Sequence, residues 1–241
     1  MTQIPCVLDA HCHTIASGHA YSTVSELAAE AARKGLEAIA ITDHAPKMPG
    51  SAEFLHFLNL GKLPRKLNGV QILTGVELNI MDADGGVDLK RGIYKNLQVV
   101  IASLHIPCIK PTNEETHTKT VINAMKNPHI KIIGHLGDPR YPIDIPKVVR
   151  AAKKTGTAVE INNASLNPES GVRGGGELIV KEIALECKAQ GVHVVMGSDA
   201  HFHAEVGDLS FAQELLSEIG FPHELVLNRS VEALLGFLKI S

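Results

Sequence analysis

Short, nearly continuous apolar runs alternate along the chain with longer stretches of helical period. The runs at Cys6–Asp9, Ala38–Thr42, Gln71–Val76, Val99–Ser103, Lys131–Gly134, Ala158–Ile161 and His193–Gly197 read as strands buried on both faces. Between them, Val24, Leu27, Ala28 and Ala31 keep helical spacing behind a Thr23-x-x-Glu26 capping box and ahead of Gly35 as a stop signal. Ile179, Ile183 and Cys187 repeat the pattern up to Gly191. Further helices are predicted over Glu114–Met125, Pro146–Lys154 and Ala204–Ile219, and Ser230 caps a last one through Lys239. Strands alternating with helices predict a parallel sheet. Seven strands without a domain-sized linker favour a single α/β domain over residues 1–241, closed into a barrel one strand short of the usual eight. An open doubly wound sheet satisfies the same periodicity.

Composition narrows this picture. The 241 residues are 44% hydrophobic and 20% charged, as in ordinary globular domains. Lys plus Arg number 23 against 26 Asp plus Glu, a net charge of −3 with 4% aromatics, which counts against a nucleic-acid partner. No apolar run approaches the roughly 18 residues a membrane helix needs. The segment Met1-Thr-Gln-Ile-Pro-Cys6 has no secretory character. Cys6, Cys12, Cys108 and Cys187 form no CxxC pair and read as free thiols of a cytoplasmic protein. Asn163-Ala-Ser165 and Asn228-Arg-Ser230 match the glycosylation pattern, which without secretion means nothing. Histidine, with 13 copies, is the outlier.

The first predicted strand runs into Asp9-Ala-His11-Cys-His13. In an extended chain this spacing sends both imidazoles to one side, with Asp9 behind them as a supporting partner. His19 follows in a Ser/Gly-rich loop. The second strand ends in Thr42-Asp43-His44, the third carries Glu77, the fourth ends at His105 and the fifth at His135, and the seventh ends in Asp199-Ala-His201. Nine His, Asp or Glu residues thus gather at the C-terminal ends of six strands, the edge where parallel α/β proteins build active sites. His56, His117, His129, His193, His203 and His223 fall elsewhere and read as structural. Imidazoles and carboxylates without cysteine suit Zn²⁺, Mn²⁺ or Fe²⁺. Nine ligands exceed what one ion accepts, so bridging carboxylates at Glu77 and Asp199 are expected.

These motifs resemble the PHP (polymerase and histidinol phosphatase) superfamily: an H-x-H after the first strand, Thr-Asp-His after the second, and a late Ser-Asp-x-His. The match is closest to its small stand-alone bacterial phosphatases through His11-Cys-His-Thr-Ile-Ala-Ser-Gly-His-Ala-Tyr-Ser22, Gly75-Val-Glu-Leu-Asn79 and Glu160-Ile-Asn-Asn163. The resemblance implies a distorted seven-stranded (β/α)7 TIM-like barrel holding three divalent ions, usually zinc. By family position, one ion takes His11, His13, Glu77 and Asp199; a second shares Glu77 and takes His105 and His135; the third takes His19, His44 and His201. Gly137-Asp138-Pro-Arg140 and the loop from Leu166 to Gly176 depart from the family pattern.

The function expected is a phosphoesterase acting on small phosphomonoesters by a metal-bound hydroxide. Glu77, Asp199 and His201 would act through the metals, and Asp43 would join Asp9 in supporting the ligands. Arg140 and Arg173 are the candidate phosphate clamps, although a solvated loop charge is the commoner use of such residues. Gly174-Gly-Gly176 reads as a flexible turn and Asp82-Ala-Asp84-Gly-Gly86 as a hairpin turn rather than a calcium loop. The competing readings are a PHP-type nuclease or phosphodiesterase acting on nucleic acid, a histidinol-phosphate phosphatase, and a non-catalytic metal-binding domain. A small phosphorylated substrate and no membrane partner are expected, with a homo-oligomer left open.

Overall fold

The computed structural model describes residues 4–168 and 175–239. Its strands are β1 (Leu8–Cys12), β2 (Ala38–Ile41), β3 (Lys66–Leu67), β4 (Val70–Asn79), β5 (Val99–Ser103), β6 (Ile132–Ile133), β7 (Ala158–Asn162) and β8 (Val194–Gly197). The helices are α1 (Val24–Arg33), α2 (Phe54–Asn59), α3 (Arg91–Tyr94), α4 (Glu114–Met125), α5 (Ile145–Thr155), α6 (Glu177–Gln190), α7 (Ser210–Glu218) and α8 (Val231–Leu238). Seven strands run parallel in the order β1-β2-β4-β5-β6-β7-β8, and the short β3 pairs antiparallel with β4. The expected distorted seven-stranded barrel is therefore the architecture found.

Alternation along the strands sorts the core. Val99 and Ile101 pack with Ala38, Ala40, Leu73, Ala158 and Val195, and with Val231, Leu234 and Leu238 of α8. Their neighbours Val100 and Ala102 join a second cluster containing Val121 of α4, Val148 of α5 and Ile183 of α6. The first set is the barrel interior, kept narrow by alanines and stoppered at the strand N-termini by α8. The second is the layer between strands and helices. Apolar filling ends where Glu77, Asn79, Glu160 and Asn162 begin, so the upper interior is polar and buried.

The seam between β1 and β8 makes the barrel irregular. At its upper end the Asp199 amide donates to the His11 carbonyl (3.0 Å) and the His13 amide to the Ala200 carbonyl (2.9 Å). Lower down, the fully buried Asn228 takes the place of a ladder. Its Oδ1 accepts from the Met196 amide at 2.6 Å, and its Nδ2 donates to the carbonyls of Leu8 (3.0 Å) and Met196 (2.8 Å). Asn228 is thus structural, and its position inside a glycosylation pattern has no use.

Several elements depart from the sequence expectation. β1 lies two to three residues later than expected, because the barrel accepts His11 where hydropathy falls. β4 likewise continues through Glu77 to Asn79. The β3–β4 hairpin was not foreseen, although Asn68 (φ 51°) and Gly69 (φ 86°) supply the two positive φ values of a type I′ turn. The helix expected over Ala204–Ile219 begins only at Ser210, because Gly207 adopts φ 70° and breaks it. The turn at Asp82 is as expected: its Oδ1 accepts from the amides of Asp84 (2.9 Å) and Gly86 (3.0 Å), and Ile80 bridges Val87 antiparallel. The four cysteines are free. No helix among the described residues is long and apolar enough to cross a membrane.

The seam yields the first prediction. Asn228→Ala removes three hydrogen bonds and leaves buried backbone groups unpaired, each omission costing about 1–3 kcal/mol. Urea unfolding should show a loss of about 3 kcal/mol or more, and a variant as stable as the parent would mean that Asn228 does not hold the seam.

Candidate active site

Glu77 sits at the centre of the polar upper barrel. It is wholly buried near the end of β4, and imidazoles approach it from four other strands. Its Oε2 lies 2.6 Å from His44 Nδ1, 3.4 Å from His11 Nε2 and 3.6 Å from His13 Nε2. Its Oε1 lies 2.8 Å from His135 Nε2 and 3.2 Å from His105 Nε2. Asp199 Oδ1 is 3.2 Å from His13 Nε2 and 3.8 Å from His11 Nε2. Three groups have ligand atoms mutually within 4.8 Å: His11, His13 and Glu77; His44, Glu77 and His105; and His13, His44 and His201. His19 is exposed on its loop, its ring 5.0 Å from that of His44 and 4.9 Å from that of His201. All nine sequence candidates therefore converge on one end of the barrel. His135 (φ 25°) and Asp199 (φ 60°) hold left-handed backbone conformations, which are uncommon for such residues and concentrate at functional sites.

Behind this cluster, each of several imidazoles has its own support. His11 Nδ1 is 2.7 Å from Glu160 Oε1. His105 Nδ1 is 2.7 Å from Asn79 Oδ1, and Asn79 Nδ2 donates to Asp88 at 2.6 Å. His13 Nδ1 is 3.0 Å from Ser17 Oγ, which in turn donates to Asp43 Oδ1 at 2.7 Å. Asp43 thus stands one residue behind His13, with His56 Nε2 at 3.2 Å from its Oδ2.

Asp9 does not support an imidazole directly. A bulge between Asp9 and Cys12 breaks the alternation of β1, and the Asp9 carboxylate instead accepts from the backbone amides of His11 (3.3 Å), Ser198 (3.0 Å) and Gly207 (2.8 Å). Its function is to anchor the loop that carries Asp199 and His201. Sequence reasoning assigned no role to Glu160, Asn79 or Ser17. The first two follow the inward alternation of β7 and β4, a signal that could have found them; Ser17 was recoverable only from the folded loop.

The electrostatics favour an ionised Glu77 and set the imidazoles around it apart from one another. Burial alone would raise the Glu77 pKa, but His105, His11 and His44 outweigh it and hold the carboxyl well below its usual range. Burial, reinforced by His44 and His201, pushes His13 well below the ordinary imidazole value. Burial also takes His105 down to about 4. His11 moves the other way: Glu160, Glu77 and Asp199 overcome its burial.

A cavity of about 790 Å³ opens above the cluster, lined by His19, His44, His105, Asp199 and His201, with Arg140 and Asn163 at its walls. Arg140 is not a free phosphate fork. Its Nε and Nη2 engage Asp138 at 2.8 and 2.6 Å, because the two residues share one tight turn. Arg173 and Gly174 lie outside the described residues.

Buried atoms without hydrogen-bond partners test whether this donor set fits a metal. His44 Nδ1, His105 Nε2 and Glu77 Oε2 are all unsatisfied by hydrogen bonds, though they crowd together. Leaving such groups unpaired is costly in a protein interior. A carboxylate among imidazoles is the donor chemistry of a hard or borderline divalent cation. The residues fit such ions.

Fold and site together define a TIM-like β/α barrel whose strand C-termini present a histidine–carboxylate metal-binding centre. The PHP domain family model matches residues 9–237, and the chain belongs to that family. It is 52% identical over 234 residues to a probable phosphatase of Caldanaerobacter subterraneus subsp. tengcongensis, covering 97% of this chain and 91% of the relative. It is 50% identical over 233 residues to a probable phosphatase of Acetivibrio thermocellus, covering 97% and 95%. Among solved structures, the histidinol phosphate phosphatase of Lactococcus lactis subsp. lactis Il1403, complexed with zinc, L-histidinol and phosphate, superposes with a TM-score of 0.64 at 22% identity, covering 89% and 94%. A chain in the archaeal ribonuclease P complex with mature tRNA gives 0.61 at 12% identity, covering 95% and 90%. These two likenesses concern the fold.

Metal occupancy should be visible as stability. A bound ion at 100 times its dissociation constant adds about 2.7 kcal/mol of apparent stability. Chelator-treated protein should therefore melt at a lower temperature than the same sample after Zn²⁺ is restored, and superimposable melting curves would argue against a metal centre.

Proposed function

We propose that this protein is a metal-dependent phosphatase that hydrolyses small phosphomonoesters at a centre of three divalent ions, with zinc the best fit to the ligands. The observation that supports the reading is the gathering of eight other candidate ligands around buried Glu77 beneath a cavity of about 790 Å³. His11, His13, Glu77 and Asp199 would hold one ion; Glu77, His105 and His135 a second; His19, His44 and His201 a third. When bound, such ions lower the pKa of coordinated water and neutralise phosphate oxygens. The naming of the close relatives as probable phosphatases supports the same class.

The protein's own groups position and protonate. The Asp199 carboxylate and the His201 imidazole line the cavity, where they can exchange a proton with water or with the leaving oxygen. The His201 ring is oriented by its Nδ1, 2.8 Å from the Asp199 carbonyl. Arg140, paired with Asp138, contributes positive charge at the wall, and a phosphate reaching its fork would have to compete with that carboxylate.

A monoester dianion has three non-bridging oxygens, whereas a diester has one fewer and less charge, leaving part of the centre's electrostatic stabilisation unused. Metal-loaded protein should therefore show a higher kcat/KM for p-nitrophenyl phosphate than for its bis-ester or single-stranded DNA. Histidinol phosphate belongs in the same panel. A preference for the diester or DNA would overturn the monoesterase reading in favour of a phosphodiesterase or nuclease. Elemental analysis under saturating conditions should approach three ions per chain, and one or none would defeat the trinuclear centre.

Glu77→Gln should abolish most turnover, by a factor of about 10² or more if it removes a central electrostatic group. His129→Ala, remote from the cluster, should keep nearly all of it. Equal losses in the two variants would show the site to be misassigned.

A further inference from the structure

Glu160 is a buried carboxylate beside the cluster that the proposed ligand sets leave unused. It lies on β7, yet its two oxygens reach ligands from two other strands. Oε1 is 2.7 Å from His11 Nδ1, on β1. Oε2 accepts the backbone amide of His135, just beyond β6, at 2.7 Å. That amide belongs to a residue at φ 25°, a conformation that needs an external restraint.

Reaching β1 requires passing β8, which lies between β7 and the seam. The passage exists because Gly197 has no side chain. A Cβ there would collide with Glu160 Oε1 and with the His11 Cβ. On the other flank, a Cβ on Gly134 would collide with Ser103 Oγ and come within 3.4 Å of Glu160 Oε2. Two glycines and one left-handed histidine thus frame this single carboxylate.

We infer that Glu160 is a positioning residue whose two oxygens fix the ring of His11 and the backbone of His135, setting ligands from β1 and β6 against a common reference. With Nδ1–H donating to Glu160, His11 presents Nε2 to the centre, the atom 3.4 Å from Glu77 Oε2. A carboxylate behind an imidazole also makes it a stronger donor. The inference rests on the metal-centre reading, but not on the identity of the substrate.

Glu160→Gln separates this role from simple filling of space. Glutamine replaces two acceptors by one acceptor and one donor, so it can serve His11 or His135 but not both. Metal-free wild type and Glu160→Gln should be titrated with Co²⁺, followed by calorimetry and visible absorption. Loss of a partner behind a metal ligand weakens metal binding roughly 10- to 100-fold; that loss is expected here, together with an altered Co²⁺ spectrum. In Zn²⁺-loaded wild type, the ¹⁵N resonances of the His11 ring should show Nδ1 protonated and Nε2 metal-bound.

A folded Glu160→Gln protein with the wild-type Co²⁺ titration and spectrum would overturn the assignment. So would His11 protonated at Nε2 in the wild type, a measurement that decides the matter even if the variant does not fold. Failure of the wild type to bind Co²⁺ would remove the metal centre and this role together. Metal binding without phosphatase activity would leave the role of Glu160 standing and remove only the substrate reading.

Discussion

A carboxylate buried as deeply as Glu77 stays ionised only if surrounding charges or dipoles replace the water it has lost, since its desolvation alone amounts to several kcal/mol. Here the replacement comes from imidazoles delivered by β1, β2, β5 and β6 to within 2.6–3.6 Å of its two oxygens. The same closeness is awkward for the imidazoles, because burial disfavours the charged forms of His13 and His105, while His11 is drawn towards protonation by Glu160, Glu77 and Asp199. A cation shared by both kinds of donor resolves the conflict. The polar upper barrel is thus organised around that need, with hydrogen bonds behind His11, His13 and His105 holding the rings to it.

The rest of the fold can be read as what this requirement imposes. Residues that must face inward at the top of each strand interrupt the apolar alternation, so the hydrophobic interior is confined to the lower barrel and needs α8 as a stopper. The centre also needs His11 and His13 on one side while Asp9 secures the loop after β8. The bulge in β1 provides that change of direction. A bulged strand cannot form a regular ladder at the seam, and the Asn228 side chain supplies hydrogen bonds in its place. Irregularity of the barrel and construction of the site are one fact seen from two ends.

Sequence reading recovered the parts of this design that repeat. The β5 and α4 bounds coincide with those expected, because an uninterrupted apolar run and an Asn113-capped amphipathic segment leave little choice. The nine candidate ligands were legible because they recur at the same strand edge. What escaped was non-repeating. The bulge that turns Asp9 away is a break in period that hydropathy does not record. Glu160 and Asn79 were visible as motif letters, but their roles depend on which strands lie across the barrel. The pairing of Arg140 with Asp138 depends on one turn. The hairpin at Asn68-Gly69 did carry a readable signal, hidden because β3 is only two residues long.

The supports behind the imidazoles differ in kind, and the difference follows from topology. Glu160 can stand behind His11 because β7 points an inward side chain at the seam, where Gly197 leaves space. His105 has instead a neutral amide, Asn79, on the adjacent strand β4, with Asp88 one bond further away. His13 has a hydroxyl, Ser17, with Asp43 behind it. A carboxylate at first remove strengthens an imidazole donor more than a carboxylate relayed through an amide or hydroxyl. The imidazoles around Glu77 are therefore supported unequally, by a carboxylate at His11 and by neutral groups at His13 and His105. Rings that are chemically alike are thus held by unlike partners. That asymmetry is written into the residues one layer behind the imidazoles rather than into the imidazoles themselves.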